Sequence, residues 1–185
     1  IMLAALNTPG TTKLVAHKSR DHTEILFKYL KIPIKIKKTK KLSFIEIKRK
    51  NNIKSFNYNI SSDISSSAFF IVLTLLSKKS SLTVKNVNIN PSRAGSINIL
   101  NKMGAKIIFR NKREYKGEKI ADIYVKSAKS LKAIKCPTKY NSSSIDEFLI
   151  IFLVAAKSKG ISFFRDLSEL NQKESPRLKL GSKIL

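Results

Sequence analysis

The stretch Asp63-Ile64-Ser65-Ser66-Ser67-Ala68-Phe69-Phe70-Ile71-Val72-Leu73-Thr74-Leu75-Leu76 carries its own helix signal. Asp63 stands where an N-cap carboxylate accepts orphan backbone N–H groups, and an apolar helical run follows over residues 64–76. A Lys/Ser turn at residues 77–80 ends it, a β-branched strand fills residues 82–89, and the loop Asn90-Pro91-Ser92-Arg93 opens a second helix over 95–103. The order helix, turn, strand, polar loop, helix is thereby set for this part of the chain.

The same order occurs on either side. Upstream, residues 1–6 turn at Asn7-Thr8-Pro9-Gly10, extend through 11–18, and reach Ser19-Arg20-Asp21-His22-Thr23-Glu24 before a helix over 25–30. Downstream, a helix over 145–156 turns at 157–160, extends through 161–167, and passes a loop at 168–174 to a helix beginning near Pro176. The three strands start at Thr11, Ser81 and Ile161, spacings of 70 and 80 residues, which is a long-period repeat. Hairpin-like stretches lie between the copies, 42–48 with 55–60 and 106–110 with 122–125. Each unit reads βαβαββ, and the class is α/β (α+β) with helices on one face of each sheet. The change from strand to helix at residues 59–63 is the best candidate for a domain crossing.

The chain has 185 residues, with 37 Lys and Arg against 12 Asp and Glu for a net charge of +25, and 42% of its residues are hydrophobic. That apolar content excludes disorder along the whole length. The longest apolar runs, 68–76 and 148–156, are about half of the ~20 residues a membrane span requires. One cysteine, Cys136, forms neither an internal disulfide nor a thiolate cluster, which suits a reducing compartment. The charge invites a nucleic-acid partner. However, the lysines are spread over nearly every segment, the basic run 35–41 gives way to strand-like 42–47, and no aromatic-interleaved stripe appears. Lysine usage on solvated faces accounts for the balance, and its field draws small anions toward any cleft. The chain starts at Ile1 inside an apolar run and stops at Leu185 soon after a helical pattern opens at Arg177, so an internal segment of a longer polypeptide is expected.

Three loops place Ser with a basic residue at a helix start: Ser19-Arg20, Ser92-Arg93 and Lys173-Glu174-Ser175-Pro176-Arg177. Orphan N–H groups and the helix dipole attract phosphate or carboxylate there, and an added cation strengthens the attraction. For Ser92-Arg93, capping by Ser beside a solvated Arg is the favoured reading. In the last loop, Ser175 as N-cap sets Pro176 at the first helical position. Asp146 and Glu147 open an almost wholly apolar helix, where a carboxylate either compensates the dipole or serves as a general base. No Gly-rich phosphate loop, metal-ligand spacing or Ser-His-Asp order is present. His17 and His22 do not suggest a metal pair.

The words Leu6-Asn7-Thr8-Pro9-Gly10, Ser19-Arg20-Asp21-His22-Thr23-Glu24, Asp63-Ile64-Ser65-Ser66-Ser67-Ala68-Phe69-Phe70, Asn90-Pro91-Ser92-Arg93, Lys102-Met103-Gly104-Ala105, Ile120-Ala121-Asp122, Ile145-Asp146-Glu147-Phe148 and Lys173-Glu174-Ser175 stand in one order along nearly the whole chain. In that order and spacing the chain resembles the 5-enolpyruvylshikimate-3-phosphate synthase family. The resemblance implies an enolpyruvyl transferase fold of two similar domains, each of three βαβαββ units, here incomplete, with residues 1–62 the end of the first (upper) domain and 63–185 part of the second (lower) domain. It implies transfer of the enolpyruvyl group of phosphoenolpyruvate to the 5-hydroxyl of shikimate 3-phosphate with release of phosphate, in aromatic amino acid biosynthesis. No metal or organic cofactor is expected, nor a nucleic-acid or membrane partner. A cytoplasmic location and a monomer at full length are expected.

By the same resemblance, Asp146 is the proton acceptor that also holds the shikimate hydroxyls, and Lys173 belongs to the shikimate-phosphate site. Glu174 is the proton donor to the methylene carbon, Arg177 grips phosphoenolpyruvate, and Ser19 and Arg20 bind the 3-phosphate. The sequence departs from the family pattern at Pro176, where Asp is usual, and at Ser62, where Gly is usual. Further family site positions fall before Ile1 and after Leu185, so the segment alone is expected to be inactive. The sister transferase acting on UDP-N-acetylglucosamine shares the repeat fold, but residues 19–24 and 173–175 favour the shikimate branch. A basic nucleic-acid-binding domain is the alternative from another class.

Overall fold

In Ile34-Lys35-Ile36-Lys37-Lys38, isoleucine and lysine alternate with period two, so a strand can bury one face and solvate the other. The computed structural model, which describes residues 1–184, places a strand there. Residue 185, the end of the expected second domain, lies outside the described residues. The chain divides into two compact units, Ile1–Ile60 with Glu114–Glu118, and Ser61–Arg113 with Lys119–Leu185.

The first unit consists of α1 (Met2–Ala5), β1 (Thr11–His17), α2 (His22–Tyr29), β2 (Ile34–Lys38) and β3 (Leu42–Lys48). The sheet order is β1-β3-β2, antiparallel throughout, with Thr12 opposite Ile47 and Ile36 opposite Ile45. Ile45 and Ile47 of β3 join Ala5, Phe27 and Ile32 in the core. This corrects the expected pairing of 42–48 with 55–60. Residues 55–60 form no strand; Phe56 and Tyr58 instead extend a row of edge-to-face rings running Tyr29, Phe56, Tyr58, Tyr115 at centroid separations of 6.3, 6.3 and 5.4 Å. The ladder partners of β3 are β1 and β2, and a count of lysines conceals the pattern of β2.

The second unit runs α3 (Ile64–Leu76), β4 (Ser81–Asn88), α4 (Gly95–Lys102), β5 (Ile107–Tyr115), β6 (Glu118–Lys126), α5 (Phe148–Ala156) and α6 (Arg177–Ile184), with 3-10 turns at Thr138–Tyr140 and Ser168–Asn171. The tip of the β5–β6 hairpin, Glu114–Glu118, groups with the first unit. The tip residues Lys116 and Gly117 have φ of 52° and 86°, the left-handed pair that matches strand twist in a two-residue hairpin turn. The sheet order is β4-β6-β5, and the β4–β6 ladder is irregular between Val84 and Val87. There Asn86 takes a left-handed φ of 57° and donates its backbone N–H to Asp122 at 2.9 Å.

Residues 161–167, expected as a strand, hold only one isolated parallel bridge, Phe163 with Lys135, with a second just ahead at Lys159 with Lys132. The partner segment reaches Cys136, and Pro137, lacking an N–H, cannot extend the ladder. Helix α6 begins at Arg177, so Pro176 precedes the helix rather than occupying its first position. Likewise α5 begins at Phe148, and Asp146 lies in the preceding turn rather than in the first helical turn. Ile71, Leu75, Ile97, Leu100, Ile123, Phe148 and Ile151 are among the residues of one continuous core. No described helix is long and apolar enough to cross a membrane.

Gly95 decides how closely α4 approaches the turn that leads to Asp146. Its N–H donates to Ser143 O at 3.2 Å, and a Cβ on it would overlap the Ser143 and Ser144 hydroxyls. Ser144 is fully buried and has no room to yield. Gly95→Ala should therefore cost about 1–3 kcal/mol, the usual range for overpacking. A urea midpoint lowered at unchanged slope is the measurement expected, and an unchanged midpoint would show that the turn yields freely.

Candidate active site

The entry to α5 sets the candidate site. An apolar helix buries Phe148, Ile151 and Val154, so its polar neighbours gather in the turn before it. That turn is held from two sides. Asn141 Nδ2 donates to Arg165 O at 2.8 Å and Asp166 O at 3.0 Å, and the N–H of Glu147 donates to Ser144 O at 3.0 Å. Below it, Phe148, Phe152 and Phe164 interlock with ring centroids 5.0–5.9 Å apart, joining α5 to the segment ahead of α6.

Asp146 then meets two cations from the last loop and α6. Arg177 Nη1 donates to Asp146 Oδ1 at 3.3 Å, and Lys173 Nζ lies 3.7 Å from the same oxygen. Arg177 Nη2 donates to Glu174 Oε2 at 3.0 Å, while Lys173 also pairs with Glu169 at 3.7 Å. Asp146, Lys173 and Arg177 are each about a quarter exposed at the side chain, whereas Glu174 is largely exposed. The Glu174 carboxyl is held below its ordinary value by its own backbone N–H and by the Arg177 guanidinium. Two partly desolvated cations around one carboxylate can exchange that carboxylate for an incoming phosphate or carboxylate, with Arg177 offering a planar fork and Lys173 a compact charge.

Four of the expected site residues, Asp146, Lys173, Glu174 and Arg177, therefore come together in the second unit. Ser19 and Arg20 belong to the first unit, where both are exposed in the loop between β1 and α2. Asp21, the N-cap of α2 by position, accepts from Lys38 Nζ at 2.8 Å, and His22 Nδ1 lies 2.6 Å from Glu118, itself buried. His17 is exposed. Burial pushes the Cys136 thiol up, keeping it a thiol. Among the described residues no group of three or more His, Cys, Asp and Glu converges to hold a metal.

One residue of this neighbourhood escaped the sequence reading, and another is placed differently from its expected role. Asn171 Oδ1 accepts from the N–H groups of Leu178 at 3.0 Å and Lys179 at 3.4 Å, so it, rather than Ser175, caps α6. A cap seven and eight residues upstream has no local spacing signal, because N-caps bond two or three residues on. Arg93 is not solvated beside a capping Ser92. Its guanidinium is 19% exposed and donates to Asp63 at 2.9 Å and to Ser65 at 2.6 Å, while the N-cap position of α4 is Ala94.

The family model for EPSP synthase (3-phosphoshikimate 1-carboxyvinyltransferase) matches residues 1–183, and the chain belongs to that family. The 3-phosphoshikimate 1-carboxyvinyltransferase of Zymomonas mobilis is 38% identical over 179 residues, covering 96% of this chain and 39% of the relative. That of Thermodesulfovibrio yellowstonii is 39% identical over 181 residues, covering 97% and 41%. A solved EPSP synthase from Acinetobacter baumannii superimposes with a TM-score of 0.87 at 33% identity, over 98% of this chain and 40% of that one. The chain thus spans about two fifths of the length of the relatives it matches.

Asp63 gives the second unit a pH dependence. Partial burial pushes its carboxyl up, but hydrogen bonds from Ser66 N–H and Oγ–H, one from the Ser65 N–H, and the Arg93 charge together hold it below the ordinary 3.8. A carboxyl depressed in the folded state stabilises above its unfolded value, and that contribution is lost as pH falls from 3.8 through the folded value. At this exposure it amounts to less than about 1 kcal/mol. Asp63→Asn, which keeps an oxygen acceptor for the cap, should flatten the fall of the thermal midpoint across that acid range; an unaltered acid slope would show that the charge contributes nothing.

Proposed function

We propose that this chain is part of an enzyme that transfers the enolpyruvyl group of phosphoenolpyruvate to the 5-hydroxyl of shikimate 3-phosphate. The observation that carries this reading, in a member of this family, is the convergence of Lys173 and Arg177 on Asp146. Asp146 takes the proton of the 5-hydroxyl, whose oxygen bonds to the central carbon of phosphoenolpyruvate while the methylene carbon gains a proton from Glu174. Loss of a proton from the resulting methyl group then expels phosphate and restores the double bond. Lys173 and Arg177 offset the phosphate and carboxylate charges that must be brought together, which lowers the barrier by orientation and preset electrostatics.

In the free site the Glu174 carboxyl is held below its ordinary value by its own backbone N–H and by Arg177. Ser19 and Arg20, in the first unit, bind the 3-phosphate. In this reading the first unit is the end of the upper domain and the second is part of the lower domain. The full-length enzyme works in the cytoplasm as a monomer, with no nucleic-acid or membrane partner. Lysines spread over both units, rather than gathered on one stripe, support that last point.

The test joins this chain to the complementary segments of the Acinetobacter baumannii enzyme and follows phosphate release from phosphoenolpyruvate with shikimate 3-phosphate. Asp146→Asn should lower kcat by about 10²–10⁴-fold, the range for loss of a general base. Undiminished turnover in that variant would remove Asp146 from the chemistry.

A further inference from the structure

We propose that Glu147, tied through Ser65 to Arg93 and Asp63, is the positioning residue that holds Asp146 against Lys173 and Arg177. The proposal rests on the reading of Asp146 as the proton acceptor only for its catalytic consequence; the placement itself is a matter of geometry.

Asp146 and Glu147 are consecutive acids in opposite environments. The Asp146 side chain is 27% exposed, whereas Glu147 is 4% exposed, and a buried carboxylate is costly unless it is hydrogen-bonded. Glu147 Oε1 accepts a short hydrogen bond from Ser65 Oγ. The Ser65 hydroxyl has one proton, which it gives to Glu147, and its lone pairs receive Arg93 Nη2 at 2.6 Å. The same Arg93 nitrogen donates to Asp63 Oδ1 at 2.9 Å, and Asp63 Oδ2 accepts from Ser66 N–H at 2.9 Å to cap α3. Residues 63–65, 93 and 147 are thus joined in one chain of charged and hydroxyl groups.

That chain ends one residue from the site. The main chain of Glu147 is also held, its N–H on Ser144 O and its C=O accepting from Ile151 N–H, each at 3.0 Å. With side chain and main chain both fixed at 147, the peptide shared with Asp146 has little freedom to turn. Turning it would carry the Asp146 carboxylate away from Arg177 at 3.3 Å and Lys173 at 3.7 Å. Stability is a weak reason for such a network, because its ion pair, Arg93 with Asp63, is partly exposed, and exposed pairs contribute little. Orientation of the neighbouring carboxylate does account for it, and errors of about 1 Å at a reacting group can cost 10²-fold in rate.

The test uses the 185-residue chain labelled with ¹³C at aspartate carboxyl carbons, with Arg177→Leu marking where the Asp146 resonance falls once its guanidinium partner is gone. Ser65→Ala and Glu147→Gln should each move that resonance more than halfway to the Arg177→Leu position, and Ser65→Thr, which keeps the hydroxyl, should restore it. In the joined full-length enzyme, Ser65→Ala should lower kcat by about tenfold or more while KM for both substrates stays within about threefold. If the resonance stays in place while the variants merely lower the unfolding midpoint, the network is only structural and the proposal falls. Should Glu147→Gln fail to fold, an unmoved resonance in Ser65→Ala overturns it equally. If Asp146→Asn keeps full turnover while the resonance still answers to Ser65 and Glu147, the proton-acceptor reading fails and the placement of Asp146 by Glu147 is upheld.

Discussion

Helix α5 packs one side into the core, burying Phe148, Ile151 and Val154, and that packing organises the second unit. All nine residues from Phe148 to Ala156 are apolar, and the helix has no polar face of its own to offer to water. The apolar side chains of α3, α4, β6 and the segment before α6 supply the surface it packs against. Once the helix is packed, the turn that enters it becomes the place where polar groups gather. Asp146 faces the cations of the last loop and α6, Glu147 faces inward to Ser65, and Ser143 and Ser144 abut Gly95.

Electrostatics then decide what kind of ligand such a place receives. A chain of net charge +25 has cations to spare, yet the candidate site is distinguished by its carboxylates. Asp146 and Glu174 hold Arg177 in position between them, and Asp146 and Glu169 do the same for Lys173. Preset cations cost little to reorganise when a phosphate or carboxylate arrives, which is how an anion site gains strength without extra charge. The Asn171 cap serves the same end by fixing the start of α6, and with it the position of Arg177.

Much of this was legible along the chain. Helix α3 runs over the expected residues 64–76 because its signals are local, an Asp cap followed by an apolar run. Asp146, Lys173, Glu174 and Arg177 were singled out from the residue types at helix starts and from a family resemblance, and in the folded chain they meet. What was not legible shares one cause, a partner distant in sequence. The strand Ile34–Lys38 was read as a basic run, since only the sheet shows that its isoleucines face inward opposite Ile45 and Ile47. Residues 55–60 alternate like a strand, but their rings find Tyr29 and Tyr115 instead of a ladder. Arg93 looked solvated until Asp63 and Ser65 came beside it, from about thirty residues away.

The sequence by itself determined the helix starts, the repeat of helix and strand, the surplus of cations and the few carboxylates set among them, because capping, periodicity and charge act over a handful of neighbouring residues. Only the tertiary structure decided which carboxylate faces which cation, and that two adjacent acids take different work, one outward to Lys173 and Arg177 and one inward to Ser65. Those pairings join residues 27 to 82 positions apart, and a hydrogen bond or ion pair across that separation exists only after the core has formed.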